Sequence, residues 1–133
     1  MSDNVRKLQD LYAAFGRGEI QTILDNVTDD ITWGTESAAA SDVPWYQIRH
    51  GVAGVADFFA TVAREVEFTG FNPTFWAGDG DEVIVHVDID YRIRRNGRTA
   101  KTGSVHRYTV RDGKVSKMRA FEDTAGVRDA YNG

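Results

Sequence analysis

Apolar residues at Val5, Leu8, Leu11, Tyr12 and Phe15 recur at steps of three and four, which draws one stripe along a helix from Asp3 to Phe15. Gly16 and Gly18 end it. Ile20, Ile23, Leu24 and Val27 share a face of a short second helix over 19–27, with Glu19 placed to meet the positive end of its dipole. Thr28-Asp29-Asp30 reads as a turn, after which Ile31, Trp33 and Thr35 alternate with Thr32, Gly34 and Glu36 as a first strand. Residues 37–51 follow neither period and contain Pro44, so they form a long loop. Val55, Phe58, Phe59, Val62 and Val66 then make the broad stripe of a third helix, over 52–66, that has to lie across a sheet.

The second half is strand-rich. A segment from Phe68 to Ala77 leads into a Gly78-Asp79-Gly80-Asp81 turn. Val83, Val85, Val87, Ile89, Tyr91 and Ile93 alternate with polar partners such as His86, Asp88 and Asp90, which is the clearest strand in the chain. Asn96-Gly97 closes a hairpin onto a strand over 101–111, where Ser104, His106, Tyr108 and Val110 share one face. Arg111-Asp112-Gly113-Lys114 reverses the chain into a last strand from Val115 to about Glu122, and Asp123 caps a terminal helix over 124–131. Helices followed by an antiparallel meander with a helix over it define an α+β class, and residues 1–133 fit a single domain.

Composition narrows the chemistry. With 41% hydrophobic and 27% charged residues the chain folds around a core. It has no cysteine, so disulfides, thiolate metal sites and cysteine nucleophiles are excluded, and oxygen and nitrogen groups carry any reaction. A net charge of −4 is the wrong sign for general binding to a phosphate backbone, so no nucleic-acid partner is expected. Arg92, Arg94, Arg95, Arg98 and Lys101 cluster at a hairpin tip, where charge protects a sheet edge. No apolar signal core or membrane-length run occurs, which leads us to expect a cytoplasmic protein with no membrane partner.

The last hairpin holds the candidate chemistry. His106 and Tyr108 face the Met118, Ala120 and Glu122 set across the strand pair. If that face looks into a hollow it is a polar floor for a small molecule; if it packs against helices without a void, it is a satisfied core. Trp45 and Tyr46 make the 37–51 loop either a functional lid or a surface flap pinned by two aromatics. His86, Asp88 and Asp90 lie along one strand face with no convergent partner elsewhere, so no metal site is expected, and no cofactor is required.

The segments LQDLYAAFGRGEIQTILDNVTDDITW and HRYTVRDGKVSKMRAFEDTAGV resemble the opening and the closing hairpin of the SnoaL-like branch of the nuclear-transport-factor-2-like superfamily, which includes ketosteroid isomerase and polyketide cyclases. The resemblance implies a conical, curved antiparallel sheet wrapped around N-terminal helices (a cystatin-like α+β barrel). It also implies a homodimer and a pocket between the sheet and the helices. The isomerase's oxyanion-hole tyrosine falls on Tyr12 and its second oxyanion donor on His106. Its general base falls near Thr35, with Glu36 one residue later and nominally on the opposite face, and the cyclase aspartate falls on Ala120.

The expected catalytic groups are therefore His106, Tyr12, Glu36 and Glu122. Phe15, Trp33, Phe58, Phe59 and Met118 wall the space, and Trp45, Tyr46 and Tyr108 complete the ligand contacts. The expected partner is a small, largely apolar cyclic or polyketide-like carbonyl compound. In the enzyme reading His106 moves a proton while Tyr12 polarises the carbonyl oxygen; in the binding reading the two only orient the molecule. A third reading uses the outer sheet face around His86, Asp88 and Arg107 as a protein-interaction surface.

Overall fold

The structure, a computed structural model, describes residues 2–35 and 42–133. Glu36 therefore lies outside the described residues. Helix α1 spans Asp3–Gly16 and is capped by the Ser2 side chain, which accepts from the Val5 backbone N–H. Helix α2 is confined to Ile20–Leu24, shorter than the apolar spacing predicts. Val27 leaves it because the adjacent backbone is needed elsewhere: the Val115 N–H donates to the Asn26 carbonyl, and Val27 pairs with Val115.

Strand β1 accordingly runs Val27–Thr35 and absorbs the Thr28-Asp29-Asp30 segment that reads as a turn. The register slips between Val27 and Thr32, as a bulge does, while Arg111 holds Asp30 at 2.7 Å. Local turn chemistry loses here to sheet pairing. After a short 3₁₀ turn at Pro44–Tyr46, strand β2 (Arg49–His50) leads directly into helix α3 (Gly51–Glu65).

Four long strands complete the sheet: β3 (Val66–Asp79), β4 (Glu82–Ile93), β5 (Thr99–Arg111) and β6 (Lys114–Phe121). Helix α4 (Thr124–Asn132) follows, with Asp123 accepting from the Gly126 N–H at 3.0 Å as its cap. At the β5–β6 turn both Asp112 and Gly113 have positive φ, 52° and 79°, the combination a two-residue hairpin needs.

The fold is α+β with a curved, unclosed six-stranded sheet in the order β2-β1-β6-β5-β4-β3. One pairing departs from the antiparallel expectation: β1 lies parallel to β6. The reason is topological. β1 precedes the meander yet docks beside its last strand, and the intervening α3 and four strands supply the long crossover that a parallel pair requires. Val83, Val85, Val87 and Ile93 are fully buried on the concave side of β4, where α1 packs, while α3 lies chiefly across β1; Leu8 and Val55 are the fully buried side chains of the two helices.

Candidate functional site

The concave sheet face and the two long helices line a partly open cavity of about 130 Å³. The β5–β6 register sets its floor. His106 stands opposite Ala120 and Tyr108 opposite Met118, so that all four side chains line the space. Because strand side chains alternate, Ser104 and Glu122 fall on the same face, one pleat further along. Ala120 is the smallest of the lining side chains on β6, and the room it leaves is beside the imidazole.

Walls come from the helices and β1. Tyr12 and Phe15 reach in from α1, Phe58 and Phe59 from α3, and Trp33 from β1. The rings interlock edge-on or tilted: Trp33 lies 5.6 Å from Phe58, and Phe15 lies 5.9 Å from Phe59. Trp45 and Tyr46 close the remaining side.

That side is pinned. The buried Arg49 guanidinium donates to the Pro44 and Gln47 carbonyls, each at 3.0 Å, to Asp57 at 3.1 Å and to the Thr61 hydroxyl at 3.3 Å. Gly34 lets this segment cross β1 closely, since a Cβ there would come within 2.9 Å of Ile48. Trp45 also meets Tyr91 and Tyr131 edge-on. These contacts anchor residues 42–49 to α3 and to the sheet.

Two polar clusters interrupt the apolar lining. In the first, the Tyr12 hydroxyl lies 2.5 Å from His106 Nδ1 and 2.6 Å from the Tyr108 hydroxyl. Burial disfavours ionised forms, so the His106 imidazole is pushed down to about 4 and both phenols are raised above their ordinary values. At neutral pH all three groups are uncharged.

In the second cluster Glu122 accepts from Ser104 at 2.8 Å and from the Tyr46 hydroxyl. Desolvation raises its carboxyl above the usual carboxylate range, only partly offset by these two donors. Ser104, fully buried, is a site residue that the sequence reading passed over. The signal was present in the face it shares with His106 and Tyr108 and in Glu122 across the hairpin, whereas Tyr46, the second partner of Glu122, comes from a distant part of the chain. The Tyr91 hydroxyl interacts with Trp45 and Tyr46 beside this cluster, and the buried Trp33 indole N–H makes no hydrogen bond to the described residues.

Outside the cavity, His86 Nδ1 pairs with the Thr74 hydroxyl at 2.7 Å and stands 4.0 Å from Asp88. Among the described residues no three metal-ligating side chains converge, and no helix is long and apolar enough to cross a membrane. Except for Glu36, every residue expected from the sequence to touch a ligand borders the one cavity.

A family model for the SnoaL-like domain matches residues 8–118, which takes in most of α1, all of α2 and α3, strands β1 to β5 and the first part of β6. The chain belongs to the SnoaL-like family. Solved structures agree with this SnoaL-like domain over nearly their full lengths. A nuclear-transport-factor-2-like protein of Burkholderia xenovorans is 27% identical, with 97% of this chain and 95% of that one covered and a TM-score of 0.85. TerC, co-crystallised with polyporic acid, is also 27% identical, covers 99% and 100% of the two chains and has a TM-score of 0.84. A protein of the same fold from Burkholderia pseudomallei, of unknown function, has a TM-score of 0.89 at 22% identity with both chains covered completely. Proteins proposed to be an isomerase and a SnoaL-like polyketide cyclase, and an M. tuberculosis LEH-like epoxide hydrolase, share the fold at 16%, 18% and 14% identity. None of the curated proteins matches the sequence.

Proposed function

We propose that this SnoaL-like domain binds a small, largely apolar cyclic carbonyl compound in the cavity and transfers a proton on it without a cofactor. The observation that carries the reading is an aromatic hollow broken by two separate polar clusters, one of them a neutral imidazole bonded to phenols. Apolar walls with a few convergent polar groups are the usual make-up of a small-molecule site. The co-crystal of TerC with polyporic acid supports small-molecule binding by a chain of this likeness.

The chemistry follows from the two clusters. A carbonyl oxygen at the phenols receives a hydrogen bond in a buried, apolar setting, where such a bond stabilises a developing enolate most. The imidazole is then within reach of the adjacent C–H, and Glu122 with Tyr46 and Ser104 holds a hydroxyl or second oxygen at the other end. The homodimer implied by the resemblance belongs to the same proposal, and sedimentation equilibrium reads it directly.

Binding and turnover are tested separately. Titration of Trp33 and Trp45 fluorescence with 2-cyclohexen-1-one gives saturable quenching in the wild type, which Ala120→Leu weakens at least 10-fold by filling the space beside His106. Isomerisation of 3-cyclohexen-1-one, followed by the absorbance of the conjugated product, is lost in His106→Ala with little change in affinity. Wild-type binding without turnover leaves the non-catalytic reading in place, and no saturable binding of such a ring sinks both.

A further inference from the structure

Tyr12 occupies the middle of the polar cluster, with its single hydroxyl in hydrogen-bond contact with His106 Nδ1 on one side and the Tyr108 hydroxyl on the other. We infer that these three groups form a neutral proton relay, in which uptake of a proton at His106 Nε2 is coupled through Tyr12 to release of a proton at the Tyr108 hydroxyl. The inference rests on the proposed reading of the cavity as a carbonyl site and specifies how that site works.

Counting protons shows how the two ends can be coupled. Two phenols and one neutral imidazole carry three exchangeable protons, and two internal hydrogen bonds use two of them. Three arrangements satisfy both bonds: in one Tyr12 accepts from both neighbours and keeps its own proton free, and in the other two the donors run in a single direction along the cluster. In the first of these two, His106 carries its proton on Nε2, Tyr12 donates to Nδ1 and Tyr108 donates to Tyr12; the cluster then offers an N–H at the imidazole end. In the second, Nδ1–H donates to Tyr12, Tyr12 donates to Tyr108, and Tyr108 has its proton free while Nε2 has a free lone pair. A shift between these two moves one proton across each bond and leaves every group uncharged.

Both free ends belong to residues that line the cavity, one pleat apart on β5. Among the described residues Nε2 has no hydrogen-bond partner, and the Tyr108 hydroxyl has none besides Tyr12. Their rings stand 6.4 Å apart, with Tyr12 bridging them from α1. A ketone can therefore present its oxygen to Tyr108 and a neighbouring C–H to Nε2.

The step balances without an outside reagent. The C–H bond breaks and its proton goes to Nε2, while the electron pair forms a carbon–carbon double bond and the carbonyl π pair moves onto oxygen. That oxygen takes the Tyr108 proton, Tyr108 takes the Tyr12 proton, and Tyr12 takes the Nδ1 proton. The product is a neutral enol. When the unsaturation extends further, return of the Nε2 proton to a different carbon gives the isomerised enone, and the protons on the phenols run back to reset the cluster.

Burial explains why a relay suits this site better than a simple base. Desolvation makes His106 a weak base and both phenols reluctant acids, so any step that leaves an imidazolium or phenolate is disfavoured. Proton uptake matched by proton release avoids both ions. Glu122 lines the same cavity but is bonded to Ser104 and Tyr46, outside this circuit. Tyr12 is thus a positioning residue, while His106 and Tyr108 are the groups that touch the substrate.

Nitrogen-15 NMR of histidine-labelled protein at pH 7 tests the coupling without any ligand. His106 is one of three histidines, and its signals are assigned by their loss in His106→Gln. In Tyr108→Phe the Tyr12 proton has only Nδ1 left to meet within the cluster, so the Nε2–H tautomer gains population over the wild type. Tyr12→Phe supplies a second break in the circuit and again changes the tautomer balance. Identical His106 nitrogen shifts in the wild type and both variants overturn the relay.

With 3-cyclohexen-1-one as substrate, both variants lose about 100-fold or more in kcat with a small change in KM. A wild type that turns over beside a Tyr108→Phe variant within about threefold of it also overturns the relay. A wild type that neither binds nor turns over this ring, but shows the tautomer change, disproves the carbonyl-site reading and leaves the proton coupling standing.

Discussion

At the scale of single residues, His106 shows how burial sets chemistry. An imidazole that titrates near neutral pH in water is pushed down to about 4 here because the charged form loses its solvent. The unfolded chain therefore binds a proton on this group between about pH 6.5 and pH 4 that the folded chain does not. Stability attributable to it is complete above the unfolded value and falls as pH drops through that window, by up to roughly 3 kcal/mol. Glu122 acts in the opposite sense. Its folded value is raised, so its share is present at low pH and lost as pH rises through the folded value. Thermal melts from pH 7 to pH 4 should show a falling Tm in the wild type, a shallower fall in His106→Gln and a steeper one in Glu122→Gln. Equal slopes in all three proteins contradict the assignment.

At the scale of elements, the segment around Trp45 and Tyr46 is held by one buried cation. Arg49 sits at the start of β2, and its four hydrogen bonds tie two loop carbonyls to side chains of α3. Removing the guanidinium deprives those groups of a charge-assisted donor, and Arg49→Ala is expected to cost about 2–4 kcal/mol in urea unfolding. The same change should release this segment, seen as a red shift of Trp45 emission that Arg49→Lys shows only in part. This element was half legible in the sequence. Pro44 and the two aromatics mark a non-repeating segment with something to bury. Arg49 carries no such mark, because an arginine in a loop is ordinarily solvated and its partners come from both the 44–47 segment and α3. The bulged start of β1 was hidden for a related reason: Thr28-Asp29-Asp30 has the local chemistry of a turn, and only β6 alongside makes it extend.

For the whole molecule, cavity size limits what the site can take. A dry protein cavity of about 150 Å³ holds benzene, so the 130 Å³ here suits one six-membered ring. Ligand-detected NMR should therefore find saturable contacts for a monocyclic enone and none for a four-ring steroid ketone at equal concentration. Binding of the steroid in preference to the single ring would show that the walls part, with residues 42–49 the first place to look. Fold alone names no reaction, since solved neighbours proposed to be an isomerase and a cyclase, as well as an epoxide hydrolase, share this architecture.

Local pattern outlined α1, α3 and the strands β4, β5 and β6 with two tight reversals, because each depends on neighbours within a few residues, while it overran α2, read the start of β1 as a turn and left β2 inside a loop. The strand placing His106 and Tyr108 together, and the hairpin setting them opposite Ala120 and Met118, belong to that same local code. Only the tertiary structure brought Tyr12 between the imidazole and the phenol, 94 and 96 residues away along the chain. It alone also set β1 parallel to β6, gave Glu122 to Ser104 and Tyr46, and left a hollow between these groups instead of a filled core. Such contacts follow from how curved layers close on one another, and no spacing within a single element encodes that closure.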